Sequence, residues 1–118
     1  MLLTGNYRCI QADGMRPIKD AVLGNLAESK DIYEWVAKLC EKMGASPADL
    51  VPFDKYAAAA DGLAKPSSAA RALAAGATHI ERVDMIVQTF AAQLGLQHAS
   101  VDQTVGVVNG WLAKNRAA

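Results

Sequence analysis

Residues 30–44 read Lys30-Asp31-Ile32-Tyr33-Glu34-Trp35-Val36-Ala37-Lys38-Leu39-Cys40-Glu41-Lys42-Met43-Gly44. Ile32, Trp35, Val36, Leu39, Cys40 and Met43 recur at steps of three and four. That spacing builds one apolar stripe on a helix over about 30–43. Glu34 and Lys38 fall one turn apart as a favourable pair on the opposite face. Gly44 is the stop, because glycine takes the left-handed conformation that closes a helix.

The same period extends outward in both directions. Pro17 can open a helix over about 17–27, with Ile18, Ala21, Val22 and Leu26 on one side. Ser46-Pro47 is an N-cap followed by proline, and Pro52 interrupts the turn it opens. A new helix runs from Asp54 through Tyr56 and four alanines to Leu63. Pro66 breaks it, and Ser67 or Ser68 caps a short helix over about 68–75, ended by Gly76.

Thr78-His79-Ile80-Glu81 fits a capping box. It opens a helix with Ile80, Val83, Val87, Phe90 and Leu94 on one face, closed by Gly95. That stripe reads as bundle core, or else as a face for a partner helix. Ser100-Val101-Asp102-Gln103 is a second capping box, opening a last helix with Val101, Val105, Val108 and Leu112 aligned and Trp111 beside them. Residues 114–118 are expected to fray. The first dozen residues show no period, and Gly5, Asn6 and Asp13-Gly14 read as turn signals. Alanine-rich segments at 57–60, 69–75 and 91–92 favour helix and close helix approach. The expected fold is all-α, a single domain over 1–118 with six or seven helices.

Composition narrows the function. Hydrophobic residues make up 52%, charged residues 20%, and the formal net charge is zero. This is a globular composition, and no basic surface is offered to nucleic acid or anionic membranes. No apolar run approaches the ~20 residues of a membrane span. The first residues lack the features of a signal peptide. Cys9 and Cys40 form no metal or redox motif, and Cys40 on an apolar face reads as a buried thiol. A cytoplasmic protein is expected, with no nucleic-acid or membrane partner.

A search for chemistry finds little. His79 and His98 have no companion ligands at metal spacing. No Gly-rich dinucleotide fingerprint follows a strand, and there is no nucleophile elbow. The pairs Asp31/Glu34 and Glu81/Asp84 read as solvated helix faces. Four features carry two readings each. Ser67-Ser68 is a helix cap, or a hydroxyl site for a carboxylate. Glu81 is the third residue of a capping box, or an acceptor for a substrate hydroxyl. Lys65 and Arg82 are surface charges, or attract an anionic substrate. Trp35 and Trp111 read as packing anchors.

Taken together, Lys65-Pro66-Ser67-Ser68, a helix, Glu81-Arg82-Val83-Asp84, and a long helix ending at Gly95 resemble the C-terminal domain of the ketopantoate reductase family. Leu3-Thr4-Gly5 resembles the segment that follows the family's lysine-bearing helix, and residues 30–44 resemble its next helix. The resemblance implies a helical bundle that recognises a small 2-keto or 2-hydroxy acid. It implies substrate contacts at Ser67 or Ser68 and at Glu81. The family motif is Glu-x-Asp where this chain has Glu-x-x-Asp, so matching on Asp84 puts Arg82 at that position instead.

By the same resemblance, NADPH and the acid-catalyst lysine belong to a full-length enzyme whose N-terminal Rossmann domain is absent from this chain. The 118 residues alone hold no catalytic, cofactor or metal residue, and are expected to be inactive. Loss of the Rossmann domain exposes apolar surface, so a homo-oligomer is expected. The alternative is a free-standing, non-enzymatic helical module that binds a partner or a small acid.

Overall fold

The computed structural model describes residues 3–118. A π-helical turn, Leu3–Tyr7, leads into a hairpin of β1 (Ile10–Gln11) and β2 (Gly14–Met15), paired antiparallel as Ile10 to Met15 and Gln11 to Gly14. Six α-helices follow: α1 (Ile18–Leu23), α2 (Leu26–Lys42), α3 (Phe53–Ala60), α4 (Ser68–Ala74), α5 (Val83–Gln93) and α6 (Ala99–Ala117). A 3-10 turn, Pro47–Asp49, precedes α3. The described chain is therefore mostly helical, with one two-stranded sheet. No helix among the described residues is long and apolar enough to cross a membrane.

The hub is the segment that showed no period. Helices α1, α2, α4, α5 and α6 all contact the Leu3–Tyr7 turn. Leu3, Thr4, Tyr7, Cys9 and Ile10 are buried. A segment covered on every side has no polar face to alternate with, so it carries no periodic signal. Around it, Tyr7, Cys9, Ala21, Ala70, Leu73, Val108 and Leu112 form one apolar cluster. Leu3, Ile32, Val36 and Val101 form a second.

The α6 stripe lies where its spacing puts it, and so does the α2 stripe except at Met43, which is exposed past the helix end, and Trp35, which is half-buried. Ile32, Val36 and Leu39 are buried, as are Val101, Val105, Val108 and Leu112. Cys40 is only half-buried, and both cysteines are free. Gly44 and Gly76 take positive φ, at 107° and 98°, as their stop roles require. On α2 the observed ion pair joins Lys30 to Glu34.

Several boundaries differ from the sequence reading. The expected helix over 17–27 breaks at Gly24-Asn25, where Asn25 Oδ1 accepts from the Glu28 amide at 3.2 Å and starts α2. Leu26 falls in the new helix and is exposed. Helix α3 ends at Ala60, which leaves Leu63 exposed. The last helix does not fray at 114. Asn115 Nδ2 donates to the Leu73 and Ala77 carbonyls, and Arg116 Nε to that of Thr78, which holds α6 through Ala117.

Neither capping box forms. Residues 78–82 are non-helical, and α5 begins at Val83. The Tyr7 hydroxyl donates to the Glu81 carbonyl at 2.5 Å and accepts from the Val83 amide at 3.1 Å. One buried phenol thus serves backbone groups that a cap would otherwise serve. At α6 the capping atom is His98 Nδ1, which accepts from the Ser100 amide at 3.1 Å. The pair Glu81/Asp84 is not a solvated face, since Asp84 is fully buried. Arg82 is likewise no free surface charge, being paired with Asp84. The α5 stripe divides. Val83 and Val87 pack on the two clusters, but Phe90 and Leu94 are exposed, together with Met85 and Ile86.

Candidate functional site

The turn Lys65-Pro66-Ser67-Ser68 borders a cleft of about 400 Å³ between α1 and α4. Pro66 ends the preceding segment and sets an extended backbone, from which Ser67 enters α4. Two backbone bonds pin this loop to α1: the Ile18 amide donates to the Lys65 carbonyl, and the Lys19 amide to that of Leu63, both at 3.0 Å. The cleft wall is therefore fixed by main chain, as a binding surface needs.

Ser67 and Ser68 have different roles. Ser67 is 3% exposed, and its Oγ donates to the Asn6 carbonyl at 2.6 Å while accepting from the Ala70 amide at 3.2 Å. Its hydroxyl is fully engaged in tying α4 to the hub. Ser68 is exposed, with its Oγ accepting from Arg71 Nη2 at 3.4 Å. Ser68 and Arg71, one helical turn apart, thus stand together at the cleft with Lys65 and Asn6. Among the described residues, Lys65 and Arg71 are its only charged lining residues. Two cations, a hydroxyl and an amide suit a small anion, and arginine adds a planar fork that matches a carboxylate.

Ser67→Ala tests this division of labour. It removes the cap and leaves the partly buried Asn6 carbonyl without that donor. It is expected to lower the unfolding free energy by about 1–2 kcal/mol, read as a shift in the urea midpoint. Ser68→Ala, which loses only one exposed hydrogen bond, is expected to stay within about 0.5 kcal/mol of the parent. Equal losses would refute the assignment.

Glu81 stands apart from this cleft: its carboxylate is exposed, its carbonyl is held by Tyr7, and it is not among the lining residues. Arg82 is engaged elsewhere, bonded to Asp84 and Asn109. The structure therefore brings Ser68 and Ser67 together and does not bring Glu81 to them. Arg71 and Asn6 were missed by the sequence reading. Arg71 is the one charged residue between Ser68 and Ala77, an available signal. Asn6 carries none, because its place at the cleft depends on the hub fold.

Protein-family models, curated proteins and solved structures give no match to this chain. A larger hollow of about 790 Å³ lies between α2, α5 and α6, lined by Trp35, Gln88, His98 and Asp102. Both ring nitrogens of His98 are engaged there: Nδ1 accepts from the Ser100 amide at 3.1 Å, and Nε2 lies 2.7 Å from Asp31 Oδ2. Burial raises the Cys9 thiol above its usual range, so it is a poor nucleophile. Burial likewise pushes the Tyr56 phenol up to about 12. Among the described residues no group of three His, Cys, Asp or Glu side chains could hold a metal ion.

Proposed function

We propose that this chain is the substrate-recognition part of a 2-keto acid reductase of the ketopantoate reductase type. It grips the acid's carboxylate between Lys65, Ser68 and Arg71. The observation that supports this is the all-cationic cleft at the Pro-Ser-Ser turn. The chain's own residues bind and orient the acid.

On this reading NADPH is held outside these residues. The described sheet is a two-residue hairpin, with no strand–turn–helix unit to seat a dinucleotide. In a reductase of this type, hydride delivery and the proton donor would come from a separate Rossmann domain and its adjoining lysine. The isolated chain is expected to bind without turnover.

Titration with ketopantoate and pantoate, followed by backbone amide shifts, tests the reading. Ser68 and Arg71 are expected to shift and saturate, and Arg71→Ala to weaken binding about tenfold or more, since a hydrogen bond to a charged group contributes about 1.5–3 kcal/mol. Absence of saturable shifts at about 10 mM acid, a free energy near 3 kcal/mol, would sink it.

A second reading rests on a separate observation, the exposed apolar face of α5. On it the chain is an interaction module, and the face is covered by a second copy. The two readings are compatible: a reductase domain can self-associate through a helix remote from its acid cleft.

A further inference from the structure

A second, polar hollow of about 450 Å³ opens between the hairpin, the start of α2 and the first turns of α6. Its distinguishing residue is Arg8. The side chain is only 7% exposed. Its Nη1 donates to Ser29 Oγ at 2.8 Å and to the Thr4 carbonyl at 3.3 Å. Ser29 Oγ in turn donates to the Val22 carbonyl at 2.7 Å, so this side of the guanidinium is locked into the fold. The other side meets the hollow, where Nη2 lies 3.4 Å from Glu28 Oε1.

A buried cation is stabilised by pairing and hydrogen bonding, and Glu28 supplies only a part-exposed partner. It is 40% exposed, and it also accepts from Asn25 Nδ2 at 3.3 Å. A second guanidinium is then added to the same wall. Arg16 Nε donates to Arg8's own carbonyl at 3.0 Å, a contact set by the hairpin that folds Met15 back on Ile10. The charged lining residues are Arg8, Arg16 and Glu28. Two cations against one anion leave the hollow one positive charge in excess. Gln11, Gln103 and Thr104 add uncharged polar groups around it.

The geometry points to a binding site in this hollow for a small organic molecule bearing a carboxylate or phosphate, held by Arg8 and Arg16. The size suits it, because about 450 Å³ lies at the small end of ligand cavities, roughly 300–1,000 Å³. The charge suits it too, since one oxyanion neutralises the excess. The N–H groups that the two guanidiniums do not spend on the fold can donate to such a group. The site shares no lining residue with the Lys65–Arg71 cleft and does not depend on the function proposed for that cleft.

Arginine side-chain Nε–H resonances of the full chain, followed while inorganic phosphate or acetate replaces chloride at constant ionic strength, test the site. Arg8 and Arg16 are expected to shift together and saturate below about 10 mM, a free energy near 3 kcal/mol. Saturation by phosphate alone assigns a phosphate ligand, and saturation by both anions a carboxylate or phosphate; either supports the site.

Arg16→Gln keeps an amide donor near the Arg8 carbonyl, and is expected to weaken binding about tenfold. Glu28→Gln removes the competing carboxylate and is expected to tighten it. A gain of affinity cannot come from misfolding. Arg71→Ala is expected to leave these shifts unchanged, which separates this site from the first cleft. Linear, unsaturated shifts, or binding indifferent to both Arg16→Gln and Glu28→Gln, would overturn the proposal.

Discussion

Replacing Arg82 with alanine is expected to lower the unfolding free energy by about 3–5 kcal/mol, the range for removing one partner of a buried ion pair. The carboxylate of Asp84 is completely buried in the first turn of α5. Its two oxygens accept from the fork of Arg82, Nε to Oδ1 at 3.0 Å and Nη2 to Oδ2 at 2.9 Å. Nη1 reaches across to Asn109 Oδ1 at 2.8 Å, so the same guanidinium ties α5 to α6. Alanine leaves an anion inside the protein with the helix dipole as its remaining compensation, which contributes about 0.3–2 kcal/mol.

Asp84→Asn should do less harm. It keeps an acceptor and leaves a cation that is already 17% exposed and can turn to water. The double change to leucine at both positions should recover most of the loss, because a paired apolar replacement leaves no uncompensated charge. Urea unfolding at unchanged slope reads all three. A loss below about 1 kcal/mol for Arg82→Ala would mean that water reaches Asp84 and that the pair is a surface feature.

The sequence reading treated Asp84 as solvated because it paired it with Glu81 on one acidic helix face. Residues two apart on a helix do not ordinarily face each other. Arg82 escapes that rule by standing just outside the helix. Its backbone, at φ −120° and ψ 65°, lets the side chain fold over the first turn. Errors of this kind share a cause. The two apparent capping boxes obey local rules, and both lose to partners that local sequence cannot reveal. Tyr7 reaches Glu81 and Val83 across more than seventy residues, and the ring of His98 caps α6 in place of Ser100.

Where one face of a helix is covered and the other wet, as in α2 and α6, periodicity sufficed to find the core. Where a segment is enclosed, as at Leu3–Ile10, it had nothing to detect. The candidate cleft divides the same way. Pro66-Ser67-Ser68 is legible as a turn followed by a cap, and Arg71 follows at helical spacing. Asn6 reaches the cleft only because the hub carries it there.

Phe90→Asp is expected to abolish self-association while leaving the monomer's stability within about 1 kcal/mol, as for an exposed position. Met85, Ile86, Phe90 and Leu94 are between 40 and 53% exposed on α5, an apolar face of the kind that marks an interaction site. Residues 85–97 contain no Asp, Glu, Lys or Arg. That favours a second copy as the occupant. In a two-fold pair each residue near the axis meets its own counterpart, so a charged face repels itself and an uncharged one does not.

The face spans one short helix, about 16 Å at 1.5 Å per residue. It buries less than a standard interface, so the dimer should be weak, in the micromolar range. Light scattering from about 1 to 100 μM, spanning roughly 8 to 5 kcal/mol, should show mass rising toward the dimer. Phe90 lies midway between Ile86 and Leu94, hence nearest the axis, and an aspartate there would face another aspartate. A variant that still dimerises would move the interface off α5. A parent chain monomeric at the highest concentration would refute a second copy as the occupant.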